Sequence, residues 1–161
     1  FLKDFGENDS MVRPCGLAAR DTLRLEAAMP LYGHELTEEI DPLSAGLGFA
    51  VKLDKGVEHP EVGGFIGQQA LQEVAARGPA RRLVGLLPEG RRSPRQHMQV
   101  LDGDRVVGEV TSGCLSPTLD RPIAMAYVDA ACCSPGTSLQ IDLGRTKVTA
   151  AACELPFYKR P

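Results

Sequence analysis

Six short runs in which apolar and polar side chains alternate fill the second half of the chain: Arg82–Leu87, His97–Leu101, Arg105–Thr111, Ile123–Val128, Ser138–Leu143 and Thr146–Ala152. A period of two puts successive side chains on opposite faces of an extended backbone, so each run reads as a strand with one buried face. Asp102-Gly103-Asp104 and Gly144-Arg145 separate consecutive runs and supply the turn residues of tight hairpins. Strands this short cannot bury their apolar faces singly. Together they predict a small antiparallel barrel or sandwich.

The first half has a different rhythm. Ala19, Leu23 and Ala27 recur every fourth residue and predict a helix from about Gly16 to Ala28, stopped by Pro30. Asp41-Pro42 reads as a cap followed by a first-turn proline, with Gly46 and Gly48 ending that helix quickly. Phe49–Leu53 alternates as a strand would, and a further helix is expected from about Gly67 to Arg77, closed by Gly78-Pro79. Phe1–Asn8 reads as the end of an earlier helix. The rhythm changes at Gly78-Pro79, which divides the chain into a helical segment, 1–78, and an all-β domain, 79–161. The fold class is α+β.

Composition narrows the function classes. Of 161 residues, 43% are hydrophobic, enough for a real core, and the formal net charge of −3 argues against binding nucleic acid or an anionic membrane. No apolar run reaches the about 18 residues of a membrane span. The chain opens on Phe1 with no signal-peptide pattern, which implies a natural start further upstream. Five cysteines, Cys132 and Cys133 adjacent and none in a CxxC pair, suit reduced thiols better than a disulfide framework or a zinc site. His34, His59 and His97 have no partners at metal-ligand spacing. Reduced thiols imply a bacterial cytoplasm or a mitochondrial matrix.

The stretch PCGLAARDTLRLE at 14–26, continuing into PLYGHEL at 30–36, resembles the folate-dependent aminomethyltransferases, the T-proteins of the glycine cleavage system. FIGQQAL at 65–71, RRLVGL at 81–86, GEVTSGCLSPTL at 108–119, IAMAYVD at 123–129 and LPFYKR at 155–160 follow in the family's order. The resemblance implies a chain matching the C-terminal half of such an enzyme: a short helical remnant of the middle, folate-binding domain, then a β-barrel domain. It implies tetrahydrofolate as cofactor and, as partners, an H-protein carrying a lipoyl arm and an N-terminal domain of the same enzyme. The aminomethyl group on that arm would give 5,10-methylene-tetrahydrofolate and ammonia. The family's proton-transfer aspartate and pteridine-binding glutamate lie upstream of the matched region. No catalytic residue is therefore expected here, and these residues alone are expected to be inactive. PLYGHEL and PFYKR favour the glycine-cleavage branch over a sibling folate-dependent demethylase or dehydrogenase. A non-catalytic docking module of the same enzyme is the competing description.

Three residues are the expected folate contacts. Arg20 lies four positions before Arg24, so a helix projects both guanidiniums from one face, a repulsive arrangement unless an anion compensates. A planar guanidinium suits a carboxylate or a pterin edge. By resemblance Arg20 is the family's folate-pocket arginine; the alternatives are an ion pair with Asp21, Glu26 or Glu35, or a solvated arginine. Arg160 matches a C-terminal arginine that closes over folate, against a frayed tail. Phe49 matches an aromatic position of the cavity, against ordinary core packing. His34 reads as part of the YGHE turn. Gly113 marks a close backbone approach where a strand leaves the barrel, at a rim formed by Thr111-Ser112-Gly113. The basic run 91–95 is a solvated loop that could meet an acidic carrier.

Overall fold

The computed structural model describes residues 14–57 and 63–159. The expected helix end at Phe1–Asn8 lies outside them. Helix α1 spans Leu17–Glu26 and α2 spans Gln68–Arg77. Six strands follow: β1 Arg81–Pro88, β2 Gln99–Asp102, β3 Arg105–Ser116, β4 Arg121–Asp129, β5 Ser138–Asp142 and β6 Lys147–Cys153. They close into an antiparallel barrel in the order β1-β4-β3-β2-β5-β6, with β6 returning to pair with β1.

Alternation decides which side chains face in. On β1, Val84 and Leu86 join Val100, Val107, Val110, Ile141 and other buried residues in the barrel interior, while Leu83 and Leu87 face outward. Ala124, Ala126, Ala150 and Ala152 keep that interior narrow. Each large aliphatic side chain buried this way contributes about 1.5–3 kcal/mol. A second, outer cluster forms where Leu25 of α1 meets Ile123 and Met125 of β4, with Leu155 and Phe157 of the tail against it. Gly85 makes room for that tail: a Cβ there would come 2.7 Å from the Cys153 sulfur and 2.9 Å from both Leu155 and Phe157.

The two helices end for different reasons. Gly78 leaves α2 with φ +77°, a left-handed stop that costs glycine little. Ala28 turns the chain out of α1 at φ +55°, and Met29 N–H bonds back to Arg24 C=O at 2.7 Å. Gln68 and Gln72 of α2 donate to Leu53 C=O at 2.9 and 2.8 Å, clipping the preceding loop to the helix.

Four local expectations need correction. Phe49–Leu53 is not a strand: Gly48–Ala50 forms a 3-10 turn, with Ala50 N–H to Leu47 C=O at 2.9 Å. Alternation alone makes no strand where no neighbour offers a ladder. Asp41-Pro42 starts only a capped turn: the Asp41 carboxylate accepts from Leu43 N–H and Ser44 N–H at 2.9 Å each, and Gly46 ends it at φ +75°. His97 sits at φ +69°, so β2 begins two residues later, at Gln99. Finally, β3 does not leave the barrel at Thr111. It continues to Ser116 through a bulge between Val110 and Ser112, with Thr111 Oγ1 bonding Met125 C=O at 3.1 Å. Gly113 is the expected close approach, but inside the strand: a Cβ would collide with Pro94 C=O.

A groove along helix α1

Arg20 and Arg24 share a face of α1, as their spacing requires, yet they meet opposite surroundings. Arg24 is buried at 8% exposure. Its Nε donates to Asp21 at 2.8 Å, its Nη1 to Glu35 at 3.0 Å and its Nη2 to Ser112 Oγ at 2.9 Å. Ser112 is positioned for this by the β3 bulge, which turns it toward the helix. Glu35 is fully buried, accepts Leu31 N–H at 3.0 Å, and has its other oxygen without a hydrogen-bond partner. Its backbone C=O accepts the Tyr127 hydroxyl at 2.8 Å. Two residues beyond Arg24, buried Glu26 accepts the hydroxyls of Ser116 and Thr118 and the Thr118 N–H.

Arg20, one turn earlier, is exposed and makes no ion pair with any described residue. The carboxylates expected as its alternative partners are engaged elsewhere: Asp21 and Glu35 hold Arg24, and Glu26 holds hydroxyls. The Arg20 side chain lines an open groove of about 760 Å³ whose walls are largely apolar, with Leu17, Leu23 and Met29 among them. Leu17 is 86% and Leu23 64% exposed, so the groove joins apolar walls to a guanidinium that no described carboxylate pairs. Chemically it suits an anion with an attached flat or apolar body.

Phe49 does not join Arg20. Its ring is 88% exposed, so it packs in no core, and it lines neither this groove nor the second cavity. Arg160 lies outside the described residues; the described tail ends beside α1, with Tyr158 N–H bonding Glu26 C=O at 3.0 Å.

A second cavity of about 630 Å³ separates the 33–44 turns, the end of α2 and the barrel, and is lined by His34, Asp41, Arg77, His97 and Tyr127 among others. His34 Nδ1 lies 3.1 Å from Thr111 C=O and 3.2 Å from Ser112 Oγ, and His97 Nδ1 lies 2.8 Å from Glu109. Neither this cavity nor the Arg24 anchorage was foreseeable from local spacing. The nearest signal was the acidic residue after YGH. No group of three or more His, Cys, Asp or Glu among the described residues could hold a metal ion. Burial pushes the Cys114 and Cys153 thiols up to about 11, which makes them poor nucleophiles.

Comparison with known proteins agrees with this architecture. The family model of the glycine cleavage T-protein C-terminal barrel domain matches residues 81–159, and that of the GCVT N-terminal domain matches residues 5–55. An aminomethyltransferase of Streptomyces avermitilis is 54% identical over 91% of this chain and 39% of its own length. One from Symbiobacterium thermophilum is 48% identical over 99% of this chain and 41% of its own length. The crystal structure of glycine cleavage system aminomethyltransferase T from Bartonella henselae superposes with a TM-score of 0.86 at 37% identity, over 98% of this chain and 43% of that one. The chain thus spans about two-fifths of the length of the relatives it matches.

Proposed function

Since this chain belongs to the glycine cleavage T-protein family, we propose that it supplies the barrel and the folate-facing helix of a tetrahydrofolate-dependent aminomethyltransferase. In that reaction the aminomethyl group carried on the lipoyl arm of an H-protein yields 5,10-methylene-tetrahydrofolate, ammonia and the reduced arm. Bound tetrahydrofolate supplies the two amines that accept the one-carbon unit. An N-terminal domain of the same enzyme would complete the site, in a bacterial cytoplasm or a mitochondrial matrix.

The observation that carries this reading is the exposed, unpaired Arg20 guanidinium among apolar groove walls. The groove fits the cofactor's chemistry: a guanidinium fork for a carboxylate or pterin edge, and Leu17, Leu23 and Met29 for an aromatic body. Phe49 and Arg160 remain proposed folate contacts by resemblance, and Phe49 would reach a ligand only from outside the groove. On the partner side, exposed Arg92 and Arg95 offer positive charge to an acidic carrier, whereas Arg91 is paired with Asp120 at 2.9 Å.

Replacing Arg20 by Ala tests the assignment. Loss of a charge-assisted bond worth about 1.5–3 kcal/mol should weaken tetrahydrofolate binding roughly ten- to a hundredfold. The melting temperature should hardly move, because Arg20 makes no ion pair with any described residue. Arg20→Lys should recover only part of the affinity, since an ammonium cannot present a planar fork. Parent-like binding by the Ala variant would remove Arg20 from the folate site. One observation favours the non-catalytic reading of this segment: Glu26 and one oxygen of Glu35, its buried carboxylates, are engaged in internal bonds.

A further inference from the structure

We propose that Arg24 is a positioning residue: held by Asp21, Glu35 and Ser112, it fixes the rotation of α1 and so aims Arg20 into the groove. This rests on the reading of Arg20 given above.

Support for α1 is uneven along its length. Its first half is exposed: Gly16 provides no side-chain cap, and residues 17–20 all face solvent. The support is concentrated in three consecutive residues, Arg24, Leu25 and Glu26. Leu25 enters the outer core and Glu26 ties the helix end to Ser116 and Thr118. Leu25 points away from the groove, whereas Glu26 sits on the flank of Ala19 and Leu23 without itself lining the groove, as each helical residue is turned about 100° from the last. Arg24 alone touches the barrel and also lines the groove. It is the buried residue nearest to the exposed turn that carries Arg20.

The anchorage also has the geometry of a stop rather than a tether. One planar guanidinium meets partners from three directions: Asp21 on its own helix, Glu35 in the turn after Pro30, and Ser112 on the β3 bulge. Satisfying all three at once leaves a single orientation, because the donors of arginine are fixed in one plane. A lysine would keep the charge but could not hold all three. The free Glu35 oxygen, buried and unpartnered, adds negative charge on the same side and opposes displacement of the guanidinium.

A double-mutant cycle tests this with 5-formyltetrahydrofolate as the probe, its dissociation constant read by calorimetry on the protein expressed from its complete gene. Arg24→Lys and Ser112→Ala should each raise the constant by roughly fivefold or more in an otherwise wild-type protein, within the range of coupled residues in one network. Both effects should vanish when Arg20 is already Ala, because a misaimed side chain that is absent costs nothing. Glu26→Gln, which loosens the end of α1 at a residue that does not line the groove, should lower the melting temperature yet change the constant by less than about twofold. If Arg20→Ala weakens binding but the Arg24 and Ser112 effects persist in its background, the positioning role is overturned and the Arg20 assignment stands. If Arg20→Ala has no effect, both fall together. Ser112→Ala guards against misfolding, since it leaves the Arg24–Glu35 pair intact.

Discussion

Thr118 donates its hydroxyl proton to Glu26 across a 2.8 Å bond, fastening the last turn of α1 to the chain between β3 and β4. Burial alone would raise the Glu26 carboxyl, but the hydrogen bonds from Ser116 and from the side chain and N–H of Thr118 outweigh it. The group therefore titrates below its ordinary 4.5. A carboxyl lowered in the folded state stabilises the fold above its unfolded value and loses that contribution as pH falls through the folded one. Parent and Glu26→Gln proteins should thus differ in melting temperature near neutrality and converge in acid. Parallel curves across the whole range would show that the ionised form is not what holds the helix.

Gly113→Ala should destabilise the barrel by about 1–3 kcal/mol, the usual cost of forcing atoms into filled space. The obstacle is the Pro94 carbonyl, which cannot swing aside as a side-chain tip could. Urea unfolding measures it, with an unchanged midpoint counting against the close approach.

Tyr127→Phe should cost about 1–3 kcal/mol by leaving the Glu35 carbonyl buried without its donor. Burial, with Glu35 and Asp41 nearby, also raises the Tyr127 phenol well above its ordinary 10. In an ultraviolet pH titration its ionisation should be delayed in the native protein and return to the ordinary range once the protein is unfolded.

Cys114 and Cys153 should alkylate slowly in the folded state. A rise from 9.0 to about 11 leaves roughly a hundredfold less thiolate at mildly alkaline pH. Mass mapping after a timed iodoacetamide pulse reads this directly, and denaturation should abolish the protection. Cys132 and Cys133 should also map as reduced thiols.

The barrel was legible because its evidence is local: period-two alternation, with glycine and aspartate between the runs. The bulge was not, since Thr111-Ser112-Gly113 looks like a turn until one knows that β4 continues alongside it. Phe49–Leu53 failed the other way, with strand-like alternation and no neighbour to pair with. Arg20 and Arg24 show the same limit at the site. In sequence they are twins one turn apart. What separates them is Ser112, 88 residues further on, and Glu35, 11 residues on, which capture one guanidinium and leave the other to the groove. Local spacing states which residues share a helical face; only tertiary partners state which of them is spent.

The ring of strands also fixes an order of events during synthesis. β1 emerges first but pairs only with β4 and β6, so it has no neighbour until Arg121–Asp129 has left the ribosome. β2 and β3 form a hairpin at once, yet β2's other flank waits for β5. The ring closes only when β6, the final strand, docks against β1. A nascent chain halted before Lys147 therefore exposes the unpaired edges of β1 and β5 together, and that half-built cylinder is the form in which this domain is most exposed to aggregation.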